Sequence, residues 1–123
     1  MIYTVTFNPA IDYVMYFDKL SMGKTNRSQN EYTVIGGKGI NVSVVLKRLE
    51  VPSVAMGFVA GFTGDAIKYE LEKDGIETDF VHLEKGISRI NVKMKADSET
   101  ELNGKGPDIT ERELSGFFST LFA

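Results

Sequence analysis

The chain has 123 residues, 42% of them hydrophobic, which suits one globular domain with a single core. Its 14 Lys and Arg against 17 Asp and Glu leave a slightly negative charge, whereas a nucleic-acid-binding protein would show a basic excess. The absence of cysteine rules out disulfides, thiolate catalysis and cysteine-held metals.

Asn8, Pro9 and Asp12 interrupt any signal-peptide core, and no uncharged apolar run approaches the roughly 20 residues of a membrane helix. A soluble cytoplasmic protein with no membrane contact is expected. Ile2 to Phe7 is β-branched and aromatic and ends at Asn8-Pro9, which reads as a strand followed by a turn. Its nearly continuous apolar character suits the middle of an α/β sheet. Tyr13 to Phe17 reads as a second strand. Leu20 to Lys24 is a loop, and Arg27 to Val34 alternates weakly, as an edge strand would.

Gly36-Gly37-Lys38-Gly39 then opens a helix in which Ile40, Val44, Val45 and Leu49 recur at helical spacing, and Val51-Pro52 stops it. Glycine lets backbone approach a ligand, and the free N–H groups of a helix start attract anions and polar oxygens. The P-loop pattern fails, because Gly39 stands where Ser or Thr must follow the lysine. The dinucleotide pattern G-x-G-x-x-G fails too, for no glycine stands at Val42 or beside it. A tight turn without a ligand remains the alternative reading of the glycines, and Lys38 with Asn41 favours a binding loop.

Ser53 to Ala60 is an apolar strand, Gly61 to Lys73 an amphipathic helix closed by Gly75, and Thr78 to Leu83 a third strand. Strand and helix alternate, so a parallel sheet with right-handed crossovers is expected. Arg89 to Lys95 departs from this rhythm by alternating strictly, with Ile90, Val92 and Met94 on one face; Asp97-Ser98 turns the chain and Glu99 to Asn103 returns. This hairpin and the early strands suggest a separate small antiparallel sheet. A last helix follows Asp108 to Thr110 and carries Leu114, Phe117, Phe118, Leu121 and Phe122 as an apolar stripe that needs a surface to cover. The chain stops at Ala123, at the end of that stripe, so a truncated chain is expected.

Few residues offer chemistry. His82 lies in an apolar strand with no Ser or Asp at a suggestive spacing. Asp12 follows a strand at its C-terminal end, where open α/β sheets place ligands; a turn cap is its other reading. Arg89 could grip a phosphate with its guanidinium fork or simply end a solvated strand. Asn91 shares its face by the period of two. Carboxylate, glycine loop, lysine, arginine and amides together suit a polyol phosphate.

Asn8-Pro9-Ala10-Ile11-Asp12, Gly36-Gly37-Lys38-Gly39-Ile40-Asn41-Val42 and Gly57 to Gly64 resemble the N-terminal half of PfkB-type sugar kinases of the ribokinase-like fold. Thr100 to Pro107 is similar to its sugar-phosphate branch. Arg89 to Lys93 most resembles members acting on fructose 1-phosphate, with tagatose 6-phosphate as the close alternative. The resemblance implies an α/β fold: a mostly parallel sheet flanked by helices, with a small antiparallel β lid over residues 13–18, 27–34, 89–96 and 99–103. Asp12, Asn41 and the backbone of Gly36, Gly37, Lys38 and Gly39 would hold sugar hydroxyls. Arg89 and Asn91 would bind the phosphate or neighbouring hydroxyls, with Lys38 nearby, and Arg27 would lie on the lid. It also implies ATP and Mg as cofactors, and a homodimer through the lid. The family's second motif, Gly-Ala-Gly-Asp, which supplies the catalytic aspartate, is absent, so no catalytic residue is expected here and a non-catalytic sugar-phosphate binding module is the other reading.

Overall fold

The computed structural model of the chain describes residues 1–122. Ala123, where the last apolar stripe was expected to end, lies outside the described residues. Strands β1 (Ile2–Thr6), β4 (Ser53–Ala60) and β5 (Glu77–Leu83) form a parallel sheet in the order β1-β4-β5. Strands β2 (Ala10–Tyr16), β3 (Asn30–Gly36), β6 (Arg89–Lys95) and β7 (Glu99–Leu102) form a second sheet in the order β3-β2-β6-β7. The helices are α1 (Lys38–Arg48), α2 (Gly61–Lys73) and α3 (Glu111–Leu121).

The main sheet is sandwiched. On one face Ile40 of α1 and Ile67 and Leu71 of α2 pack with Ala55, Val59 and Ile76. On the other, Phe117 of α3 packs with Val54, Met56, Phe58, Ala60 and Leu83. Strand β4 is buried from Val54 to Ala60 and takes the central place. The expectation that the N-terminal strand lies in the middle is corrected for the described strands: β1 is at an edge, with Thr4 and Thr6 buried under α1 and Tyr3 and Val5 exposed. Its apolar residues lie on a face that α1 leaves uncovered.

Helix α1 is also rotated from the expected stripe. Val45 and Leu49 are 52% and 66% exposed, while Ser43 is buried with its hydroxyl 2.6 Å from that of Thr4. A hydrogen-bonded Ser–Thr pair can be buried where an unpaired hydroxyl would be costly. In α3 the stripe divides. Phe117 is buried edge-on to Phe7 with its ring 5.0 Å from that of Phe58, whereas Phe118 and Phe122 are exposed and stack on each other. Thr110 and Glu113 form a reciprocal capping box at its start.

The second sheet is mixed. β2–β3 and β6–β7 are antiparallel as expected, but β2 and β6 pair in parallel, Asp12 directly opposite Asn91. Both strands leave the carboxyl end of a parallel main-sheet strand, β1 or β5, and so run outward in the same direction. The segment before β3 differs from expectation as well. Asn26 accepts from Ser21 N–H and donates to the Ser21 and Lys24 carbonyls, which holds a loop, and the strand begins only at Asn30. Arg27 therefore sits in an exposed loop rather than in a strand.

Candidate sugar-phosphate site

A cleft of about 500 Å³ opens between the second sheet and the start of α1. It is lined by Asp12, Gly36, Gly37, Lys38, Asn41, Arg89 and Asn91, along with Lys93, Lys95, Glu99, Glu101 and Asn103. Seven of the nine residues expected at the site therefore come together. Arg27 is not among the lining residues, and neither is Gly39, which is turned toward β1, where a side chain would strike Thr6 and the Val5 carbonyl.

Helix α1 presents its first turn to this cleft. Its N-cap is Gly37, at φ 129°, a conformation that L side chains rarely adopt, and no side chain caps the helix. The first intrahelical donor recorded is Asn41 N–H, to the Gly37 carbonyl. The earlier N–H groups lack intrahelical partners, and no acidic residue occupies the first turn. A polar oxygen or anion therefore meets open donors, the helix dipole and the Lys38 ammonium together.

Opposite these donors sits the Asp12 carboxylate. Asn91 Nδ2 donates to Asp12 Oδ1 at 3.0 Å, and Lys93 Nζ lies 3.8 Å from Asp12 Oδ2. Lys93 is also 4.0 Å from Glu101, so it bridges two acids across β2, β6 and β7. Gly36 leaves room for the carboxylate: a Cβ there would lie 2.5 Å from Asp12 Oδ2. Arg89 sits at the hinge end and donates from Nε to the Asn8 carbonyl at 3.0 Å. Ser88 anchors the strand start, since its N–H donates to the Ala60 carbonyl, its Oγ accepts from Ala60 N–H, and its carbonyl accepts from Thr63. At the far end the Tyr16 and Tyr32 rings lie 6.2 Å apart, and the Tyr32 hydroxyl is pushed up from its ordinary pKa by its hydrogen bond with Tyr16.

Lys93, Lys95 and the β7 acids were missed from sequence, although the alternation that places Asn91 beside Arg89 also places Lys93 and Lys95 there. The site can accept hydrogen bonds from hydroxyls at Asp12, donate to oxygens from α1, and balance a phosphate with Lys38 and Arg89. This donor set does not fit a Mg–nucleotide: the chain has no Gly-Ala-Gly-Asp, and no group of three or more His, Cys, Asp or Glu side chains suited to a metal occurs among the described residues.

Residues 5–120 match the model of the pfkB family carbohydrate kinases. The chain belongs to that family, and its α/β architecture is ribokinase-like. More particularly, it is 50% identical over 117 residues to the 1-phosphofructokinase of Bacillus subtilis (strain 168), a stretch covering 95% of this chain and 38% of that protein. It is 45% identical over 111 residues to the D-tagatose-1-phosphate kinase of Bacillus licheniformis, covering 90% of this chain and 36% of that one. A crystal structure of a Staphylococcus aureus protein with a provisional phosphofructokinase assignment superimposes with a TM-score of 0.92 at 45% identity, covering 98% of this chain and 39% of that one. The chain thus spans well under half the length of the relatives it matches.

Proposed function

We propose that this chain is the substrate-binding part of a cytoplasmic, ATP- and Mg-dependent kinase that converts fructose 1-phosphate to fructose 1,6-bisphosphate. The observation that carries the reading is the Asp12 carboxylate, oriented by Asn91 and set in one cleft with the open first turn of α1, Lys38 and Arg89. A sugar phosphate satisfies both halves of that cleft: hydroxyls donate to Asp12, and the phosphate takes the cations and the helix donors. ATP and Mg would bring the phosphoryl group and neutralise its charge, and their site is assigned to the portion of the relatives that this chain does not span. Phosphoryl transfer rests mainly on positioning and charge stabilisation, so these 123 residues alone are expected to give no turnover.

The second sheet acts as a lid over the sugar, closing to exclude water so that phosphate passes to the substrate. Its other face carries the half-buried Tyr13, Met15, Val92 and Met94 and the exposed Leu102. That face is a homodimer surface in this reading, and sedimentation equilibrium of an active hybrid distinguishes dimer from monomer.

The test is a hybrid enzyme in which this chain replaces the matched N-terminal segment of the Bacillus subtilis 1-phosphofructokinase. The proposal expects ATP-dependent phosphorylation of fructose 1-phosphate in preference to tagatose 1-phosphate and tagatose 6-phosphate. Preference for tagatose 6-phosphate would move the assignment to the alternative that the sequence offered, and preference for tagatose 1-phosphate would move it toward the activity named for the Bacillus licheniformis relative. A folded hybrid with no activity on any of the three would support a binding module instead.

A further inference from the structure

We propose that Asn91 serves the site through Asp12 rather than by touching the ligand, and that it couples the sugar-binding carboxylate to the loop returning from β7 to α3. This deepens the proposed function and rests on it. Asn91 is only 7% exposed, on a strand whose other side chains are half-buried or exposed. Both ends of its amide are engaged. Oδ1 accepts from Gly104 N–H at 3.0 Å, and Nδ2 donates to Asp12 Oδ1 at 3.0 Å. The Gly104 donor also fixes the amide's orientation, since only an oxygen can face an N–H.

The same loop reaches Asp12's neighbours by a second route. Asn8 Nδ2 donates to the Lys105 carbonyl at 2.9 Å, and the Asn8 carbonyl receives Arg89 Nε. A Cβ at Gly104 would lie 3.0 Å from the Ile90 carbonyl and 3.2 Å from Arg89 Cβ, so this loop lies directly on β6. Asp12 and Arg89, which sit at two parts of the cleft, are thereby tied to one crossover between the sheets. A shift of the loop on closure turns the carboxylate and the guanidinium together. The charged groups lining the cleft around Asp12 are Lys93 and Lys95 of β6, Glu99 and Glu101 of β7, Lys38 of α1 and Arg89; β3 contributes Tyr32, Val34, Ile35 and Gly36, of which only Tyr32 is titratable.

The experiment uses the hybrid enzyme with Asn91→Leu and Asn91→Asp. Leu keeps the branched outline but is bulkier and removes both the donor to Asp12 and the acceptor of Gly104 N–H, while Asp sets a second carboxylate against Asp12, and like charges so close disfavour double ionisation. Both variants are expected to raise KM for fructose 1-phosphate about tenfold, with kcat within about threefold. In Asn91→Asp the acid limb of kcat/KM against pH moves upward by about one unit, because two carboxylates then share the site. Inhibition by inorganic phosphate, which needs no contact with Asp12, is unchanged in Asn91→Leu. A pH profile that only drops uniformly in Asn91→Asp, or weakened phosphate inhibition in Asn91→Leu, overturns the proposal, because these are the marks of general damage and of direct phosphate contact. If Asn91→Asp does not fold, Asn91→Leu decides by the split between KM and kcat and by the phosphate inhibition. An inactive parent hybrid removes the function reading, and this inference with it; an active parent with unshifted variants removes this inference alone.

Discussion

Replacing Gly36 by alanine probes the site at its tightest point. Gly36 ends β3 beside Asp12 and does not have positive φ, so the backbone itself tolerates alanine. The added Cβ, however, would stand 2.5 Å from Asp12 Oδ2, 3.0 Å from its Cγ and 3.1 Å from Oδ1, far inside normal contact distance. The carboxylate cannot yield freely, because Asn91 Nδ2 holds Oδ1 at 3.0 Å. Its rotation forfeits a hydrogen bond to a charged group, about 1.5–3 kcal/mol, which corresponds to roughly 10- to 100-fold in affinity. The assay is KM for fructose 1-phosphate in the hybrid enzyme, with the urea midpoint measured in parallel. Gly23→Ala is the control: that glycine has φ 71° and nothing within 4 Å of a Cβ, so it costs about 1 kcal/mol of stability and leaves KM alone. A folded Gly36→Ala enzyme with KM within twofold of the parent would refute the reasoning.

Three further outcomes follow from packing and charge. The buried Thr6 hydroxyl has no partner among the described residues, so Thr6→Val is expected to raise stability by about 1 kcal/mol in denaturant unfolding, and an equal loss would mean the hydroxyl is satisfied. Phe117→Ala should cost about 3–5 kcal/mol, whereas Phe118→Ala should cost under about 1, since only Phe117 is enclosed; equal losses would contradict the division of the α3 stripe. Hydrogen bonds from Thr110 hold the Glu113 carboxyl below its ordinary pKa of 4.5, so its contribution is present above that value and fades as pH falls through the lowered one. Glu113→Gln should therefore lower stability at neutral pH and flatten its decline below about pH 4.5, as thermal melts between pH 3 and 7 would register.

Local signals account for much of the fold. Ser53 to Ala60 reads as a strand because every residue suits a buried ladder, and β4 spans those residues. The glycine run before Ile40 reads as a helix entry, and Gly37 does cap α1. What escaped the sequence depends on distant partners. Alternation in Arg89 to Lys95 set Ile90, Val92 and Met94 on an apolar face and Asn91 on the polar one, yet Asn91 is the buried residue, because Asp12, remote in sequence, supplies an acceptor directly across the ladder. Ser43 displaced Val45 from the core by pairing with Thr4, another contact no periodicity reveals. Arg27 looked like a strand start, whereas Asn26 folds that segment into a loop. In α3 the spacing of Phe117 and Phe118 gave no means of choosing which ring meets Phe58.

A crystal structure of the hybrid enzyme with fructose 1-phosphate tests the central claim most directly. The account predicts the sugar hydroxyls against Asp12 and the first turn of α1, with the phosphate near Lys38 and Arg89 and Asn91 still bonded to Asp12 rather than to the ligand. Sugar phosphate bound instead at the opposite end of the main sheet, in the cleft lined by Lys47, Arg48 and Glu77, would contradict it.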